Sequence, residues 1–320
     1  MRVFVAGGSG VMGRVLVPML VARGHEVTAT TRRAEQAKSL RAMGATPEVV
    51  DVYDVEALAA AVGRSRPDVL VHQLTALPQA IDLRRLERDM AANDRIRVEG
   101  TRNLVEAAKR AGVGRVVAQS IAFTYAPQGD WVKDETAPLW LDAPWPWRRS
   151  VAASAELERQ VLETDGVVLR YGYFYGPGTA YDHDGSMTAM VRAKQLPILG
   201  RGKGMTSFIH IDDAARATVL AVESERTGVF NIVDDEPSRQ DEWLPAFARS
   251  LGAPAPSRVP SLLGRLVLGR TVFAMIARQR GASNARAKRE LGWAPMIASW
   301  RTGFEVGDLE LASLAEAAHA

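Results

Sequence analysis

Residues 3–13 read VFVAGGSGVMG, a short apolar run that breaks into Gly7, Gly8, Ser9, Gly10, Val11, Met12 and Gly13. Glycines at this spacing can bind a pyrophosphate. Gly7 lets the chain turn tightly off a strand, and Gly10 lets the backbone approach a phosphate with no Cβ in the way. Gly13 lets the following helix pack closely on the strand, and the helix start offers free N–H groups and partial positive charge. About 20 residues on, a site for an unphosphorylated ribose places Asp or Glu. Here the chain has Thr30, Thr31, Arg32 and Arg33. A guanidinium pairs with a 2′-phosphate, and no carboxylate stands there to repel it, so Arg32 and Arg33 select NADP(H) over the alternative NAD(H).

These residues must be held by strands and helices in alternation. Val3–Ala6 reads as a buried strand, and Val11–Ala22 repeats its apolar residues at helical spacing up to Gly24. HEVTATT, EVVDV, VLVHQ and VVAQS follow as strands, separated by helices around Val55–Val62, before Gly112 and over Ala152–Glu163. VVLRYGYFYG continues the series. Such alternation predicts an α/β fold, a Rossmann doubly wound parallel sheet. After Gly178 the rhythm loosens into FIHIDD, GVFNIVDDEP and GAPAPSRVPS. The expected division is 1–178 as the nucleotide-binding part, with segments near 205–235 completing the sheet. Residues 179–320 then form a smaller, discontinuous C-terminal substrate domain.

Composition narrows the function. The 320 residues are 47% hydrophobic and 24% charged, ordinary for a globular chain with a full core. The net charge is +3 and the basic residues are spread out, which argues against a nucleic-acid partner. There is no cysteine, so thiolate catalysis, disulfides and Cys-based metal sites are excluded. No HExxH, close His pair or carboxylate cluster has metal-ligand spacing. The opening apolar run is too short for a signal-peptide core, and a cytoplasmic protein without a membrane partner is expected. The most apolar later stretch, Leu262–Gly281, is cut by Arg265, Arg270 and Arg278. It reads as an amphipathic helix against a core.

GGSGVMG, DVLVHQLTA, VEGTRNLVEAA, VVAQS, LRYGYFYGPG, FIHIDDAARA and ASNARAKRELGWAP occur in this order. Together they resemble the extended and atypical short-chain dehydrogenase/reductases, the NAD(P)-dependent epimerase/dehydratase-like proteins. The resemblance implies a Rossmann domain with a small substrate domain, a small-molecule substrate and a possible homodimer. It also implies that Asp51 and Val52 border the adenine and that Leu74, Thr75 and Ala76 lie along the cofactor. Ser120, at the end of the fifth strand, joins this cofactor set.

The chain departs from that family where protons are moved. Members carry Tyr-x-x-x-Lys on the helix after the fifth strand, where the Tyr transfers the proton and the Lys lowers its pKa and holds the nicotinamide ribose. Alignment puts Val151 and Ala155 at those places, and Ile121 or Ala122 at the usual Ser/Thr. Three other residues are candidate acids on the strength of the resemblance: Tyr125, Tyr173 and His210. The segment before Phe208 lacks the Arg that pairs with a nucleotide-sugar diphosphate. The covering loop holds Trp131, Trp140, Trp145 and Trp147. A less charged, ring-containing ligand is expected. Three readings stand: an atypical NADP(H)-dependent reductase of a small, largely apolar carbonyl, enone or imine; an isomerase or lyase with a retained cofactor; and a non-catalytic, nucleotide-responsive binding protein.

Overall fold

A computed structural model describes residues 1–78 and 81–305. Seven strands form the central sheet: β1 (Arg2–Ala6), β2 (Glu26–Thr31), β3 (Thr46–Val49), β4 (Val69–His72), β5 (Arg115–Ile121), β6 (Val167–Tyr171) and β7 (Gly228–Ile232). All their pairings are parallel, in the order β7-β6-β5-β4-β1-β2-β3. A parallel sheet is covered on both faces, so its inner strands read as unbroken apolar runs. Every residue of β4 and β6 is buried.

The period of two sorts β1 between two cores. Val3 and Val5 join the cluster under α1 (Val11–Ala22) and a helix at Ile211–Glu223. Phe4 and Ala6 join the opposite cluster, with Leu58 and Val62 of Val55–Ser65 and Leu157 and Val161 of Trp147–Leu162. Each large buried side chain contributes roughly 1.5–3 kcal/mol, and the two-faced pattern leaves one workable register. Strand order reverses between β1 and β4. Ligands of such sheets bind outside the carboxyl ends of the strands at that point.

The helices flanking the sheet are α1, α2 (Ala37–Ala42), α3 (Val55–Ser65), α4 (Leu86–Arg95), α5 (Thr101–Arg110) and α6 (Trp147–Leu162). A π-helical turn, Ile96–Gly100, joins α4 to α5. π turns inside helices recur at functional sites. Further along come α7 (Ser186–Arg192), α8 (Ile211–Glu223), α9 (Gln240–Ser250), α10 (Ser261–Ala277) and α11 (Trp300–Glu305).

Two sequence readings are corrected. VVLRYGYFYG is not one strand, because the chain changes partners at Gly172. The Gly172 N–H still donates to Ile232 O beside β7, but the Tyr173 N–H donates to Ser207 O. Tyr173–Tyr175 then pairs with Phe208–His210 in a separate two-stranded sheet. A Cβ at Gly172 would lie 2.6 Å from Ser207 O, so only glycine passes this crossing without a shift. The second correction concerns α10, which does not lay one apolar face on a core. It kinks at Gly269 (φ 82°), and Leu262 and Leu266 in its first half are 82% and 81% exposed. Only the half after the kink packs inward, through Val272 and Phe273. No helix among the described residues is long and apolar enough to cross a membrane.

Candidate functional site

The glycine turn has the shape its spacing predicts. Gly7 has φ +95°, and a Cβ there would lie 2.9 Å from the Gln73 carbonyl. Its N–H donates to Thr30 Oγ1 and that of Gly8 to Thr30 O, both at 3.1 Å, which ties the turn to the end of β2. A Cβ at Gly13 would come within 2.4 Å of Gly8 O. Gly10 caps α1 in extended conformation, with no side-chain cap and no acidic residue in the first turn. Beyond Gly10 the only neighbour a Cβ would meet is Gly7 O at 3.4 Å. The α1 start is therefore an open cradle of N–H groups that fits a diphosphate.

Beside this cradle, Ser9 Oγ donates to Thr31 Oγ1 at 3.2 Å, and the Arg33 N–H donates to the same oxygen at 3.2 Å. Arg32 and Arg33 leave the end of β2 exposed. The nearest acid to Arg33, Glu35 at 4.0 Å, is itself on the surface, and such a pair holds its partners weakly. Asp51 Oδ1 accepts from the Tyr53 N–H, and buried Val52 accepts from Asn103 Nδ2 at 3.0 Å. Arg95 lies 3.8 Å over the Tyr53 ring. Along β4's end the Leu74 N–H donates to His72 Nδ1 and Leu74 O accepts from Gln119 Nε2. Thr75 is exposed, and the Ala76 N–H donates to Asn93 Oδ1 at 3.1 Å.

Two other expected site residues are committed elsewhere. Ser120 Oγ donates to Glu158 Oε1 at 2.7 Å, buried against α6 rather than offered to a ligand. Glu158 is held by Arg170 through Nε and Nη2 at 2.8 and 2.6 Å. Arg170 Nη1 in turn donates to Tyr125 Oη, which donates to Asn231 Oδ1. Ser120 and Tyr125 thus close the two ends of one buried network. Burial pushes the Tyr125 phenol up to about 12, and its hydroxyl is engaged by both Arg170 and Asn231.

His210 is also engaged within the fold. It caps α8, its Nδ1 accepting from the Asp212 N–H at 3.3 Å. Its ring lies edge-on to Tyr175, and a Cβ at Gly176 would collide with its Nε2.

Tyr173 is placed differently. Its ring stacks on Phe123 just beyond β5 at 4.3 Å, and Phe123 stacks in turn toward Trp147 at 6.4 Å. Tyr173 Oη donates to Gln279 Oε1, and burial raises its pKa. Val151 is wholly buried among Trp140, Trp147, Leu86 and Met90, with Ile121 and Phe123 packed against them. The neighbouring face of α6, carrying Ser150, Ser154 and Glu158, is also buried. In either register α6 holds no phenol and no ammonium. Trp140 and Trp147 are packing anchors, whereas Trp131 and Trp145 are 40% and 48% exposed.

Ala274 of α10 touches the same aromatic cluster and also borders a cavity of about 520 Å³. Pro144, Leu266 and Phe273 supply its apolar wall, and Arg265, Arg270 and Arg278 supply charge, with no acidic side chain among the described residues lining it.

Sequence reasoning missed a polar group on α4 and the π turn after it: Asn93, Asp94 and Arg97, all more than nine-tenths buried. The available signal was Asn93, Arg97 and Thr101 at intervals of four, a polar stripe where an inward helix face normally carries apolar residues. Phe123 was missed because nothing in sequence links it to Tyr173.

Residues 3–233 match the model of the NAD dependent epimerase/dehydratase family. The chain is 50% identical over 311 residues to the 3-diazoavenalumate denitrifying reductase of a Streptomyces species, covering 95% of this chain and 99% of that one. It is 28% identical to a 4-hydroxy-2-methyl-3-oxo-4-farnesyl-3,4-dihydroquinoline-1-oxide ketoreductase of Stigmatella aurantiaca, covering 93% of each. Among solved structures, the UDP-glucose 4-epimerase of Thermotoga maritima with UDP-glucose superimposes with a TM-score of 0.75 at 20% identity, over 98% and 99% of the two chains. Human epimerase family protein SDR39U1 (isoform 2) with NADPH gives 0.74 at 24% identity, over 95% and 98%. On the family match and the half-identical relative together, this chain belongs to the NAD dependent epimerase/dehydratase family.

Proposed function

We propose that the protein is an NADP(H)-dependent reductase that removes the diazo group from a conjugated, anionic compound. The carrying observation is α6 beside the end of β5: it holds no Tyr-x-x-x-Lys, and the rings packed at that strand end are Phe123 and Tyr173. The cofactor supplies a hydride when bound. A carbonyl that takes a hydride becomes an alkoxide and needs an acid to finish the reaction. A diazonium group does not: R–N₂⁺ and a hydride give R–H and N₂, with charge and atoms balanced and no proton required. A site without the usual acid suits the second substrate better than the first.

The chain's own residues would then bind, orient and exclude water. The Gly7–Gly13 cradle takes the pyrophosphate, and Arg32 and Arg33 take the 2′-phosphate. The stacked pair of Phe123 and Tyr173 would supply aromatic surface for a conjugated substrate. The half-identical relative is named for a diazo carboxylate, and Arg265, Arg270 and Arg278 around the neighbouring cavity offer cations for such an anion. The test is incubation with NADPH and an arenediazonium carboxylate. N₂ should appear in one-to-one ratio with NADP⁺, and deuterium from C4-labelled NADPH should be found in the nitrogen-free product. Cofactor oxidation without N₂ would defeat the proposal.

A second reading, reduction of a ketone, draws on Tyr173, the phenol stacked on Phe123 near the end of β5, and on the ketoreductase relative. It requires turnover of an oxo compound that collapses in Tyr173→Phe.

A further inference from the structure

We infer that Asn93, Asp94 and Arg97, with Ser150 opposite, form a seat for the ribose diol on the nicotinamide side of the cofactor, taking over the positioning that a lysine on α6 would give. This rests on the nicotinamide-cofactor reading above and concerns residues outside the Tyr-x-x-x-Lys helix face.

Three atoms of this group, Asn93 Nδ2, Asp94 Oδ1 and Arg97 Nη1, are buried without a hydrogen-bond partner among the described residues. Folding does not bury three neighbouring unsatisfied polar atoms without cost, and so many together call for a bound partner. The group has a defined place. Asn93 Oδ1 already accepts from the Ala76 N–H, so the residue sits directly beside the loop that follows β4. Ser150 Oγ donates to Asp94 Oδ2 at 3.2 Å, which joins α4 to the N-terminal half of α6. Arg97 feels both Asp94 and Glu158 and itself acts on His72 at the end of β4. The group thus sits at the carboxyl end of β4, one of the two strands that flank the switch point, and a dinucleotide binds outside the carboxyl ends there.

The chemistry is that of a diol. Arg97 and Asn93 bring donors, and the free oxygen of Asp94 brings an acceptor, so two adjacent hydroxyls can each accept one bond while one of them donates. A phosphate would be repelled by Asp94, and an apolar ring would leave all three atoms unsatisfied. Burial lowers Arg97 to about 10, which still leaves it charged at neutral pH, as the absent lysine would have been. The π turn at Ile96–Gly100 widens the helix here and carries Arg97 on it.

The test is calorimetric binding to the full chain of two probes, NADPH and adenosine 2′,5′-bisphosphate, which lacks the nicotinamide ribose. Arg97→Gln and Asp94→Asn should each weaken NADPH by about tenfold, the worth of one charge-assisted bond, and leave the bisphosphate unchanged. Equal losses for both probes would mean that the cluster only supports the fold, and no loss for either would mean that water alone fills it. Both results overturn the inference. Asp94→Asn preserves shape and carries the test if Arg97→Gln does not fold. If the unaltered protein binds NADH and 5′-AMP instead of the phosphorylated pair, the NADP(H) reading fails by itself. The diol seat is then judged by the same comparison on NADH and 5′-AMP.

Discussion

Arg170 donates to the phenol oxygen of Tyr125 at 2.8 Å while its other nitrogens grip both oxygens of Glu158, and the Arg170 and Glu158 side chains are only 6% exposed. This pair engages a tyrosine whose position in sequence suggested an acid. Its hydroxyl serves the packing of β6 against β5 and β7. Tyr125→Phe leaves Arg170 Nη1 and Asn231 Oδ1 each short of a partner and should cost roughly 1–3 kcal/mol of stability. Cofactor oxidation per folded molecule should stay within about threefold of the parent, well short of the loss that removing a general acid brings. Urea denaturation and steady-state kcat on the same preparation check both halves, and a large fall in kcat with unchanged stability would return Tyr125 to the active site.

Arg32 and Arg33 stand exposed beside the Ser9–Thr31 contact at the mouth of the cradle. Replacing both by Ala should weaken NADPH about tenfold or more with little change for NADH, since only the 2′-phosphate is lost as a partner. Dissociation constants for the two cofactors, measured side by side, decide this. A parallel loss of both would assign the arginines to something other than the 2′-phosphate.

Gly13 is sterically obligatory. A Cβ there would sit 2.4 Å from Gly8 O and 2.5 Å from Gly7 O, closer than atoms can approach without moving the turn. Gly13→Ala should therefore destroy dinucleotide binding and lower the melting temperature by several degrees, on the order of 1–3 kcal/mol for overpacking in a tight contact. Retained binding in a folded Gly13→Ala protein would show that the turn can relax.

His72 is buried at the end of β4, bonded through Nε2 to Thr101 Oγ1 at 3.0 Å, and burial lowers it from 6.5 to about 4, with Arg97 pushing the same way. Between those values the unfolded chain binds a proton on this residue and the folded chain does not. Stability is thus drained as pH falls from 6.5 toward 4, by up to about 3 kcal/mol. Above pH 6.5 the residue has no effect of this kind. Denaturation of the parent and of His72→Gln at pH 7 and pH 5 should show a shallower acid-side loss in the variant. Parallel curves would mean that His72 is protonated in the folded protein.

The sequence by itself determined the scaffold and the cofactor cradle, because both depend on short-range rules. Strand–helix alternation and apolar runs specify a parallel sheet with two covered faces, and Val3/Val5 and Phe4/Ala6 divide between those faces by the period of a strand. Gly13 is required by contacts with Gly7 and Gly8, and Gly7 by its positive φ, so their spacing announces the turn; the Gln73 carbonyl that also crowds Gly7 comes from beyond β4. The absence of a phenol and an ammonium on α6 was equally visible, since it is a matter of residue type. What the remaining polar and aromatic side chains contact was decided only in three dimensions. Tyr125 and Tyr173 look alike in sequence, but one is saturated by Arg170 and Asn231, far along the chain, and the other stacks on Phe123. Ser120 turned to Glu158, a partner its own segment does not contain, while His210 caps α8 through the Asp212 N–H two residues on. Asn93, Asp94 and Arg97 acquire meaning only when α4 docks beside α6 and the end of β4, because burial turns an ordinary charged stretch into a set of polar atoms in need of a partner.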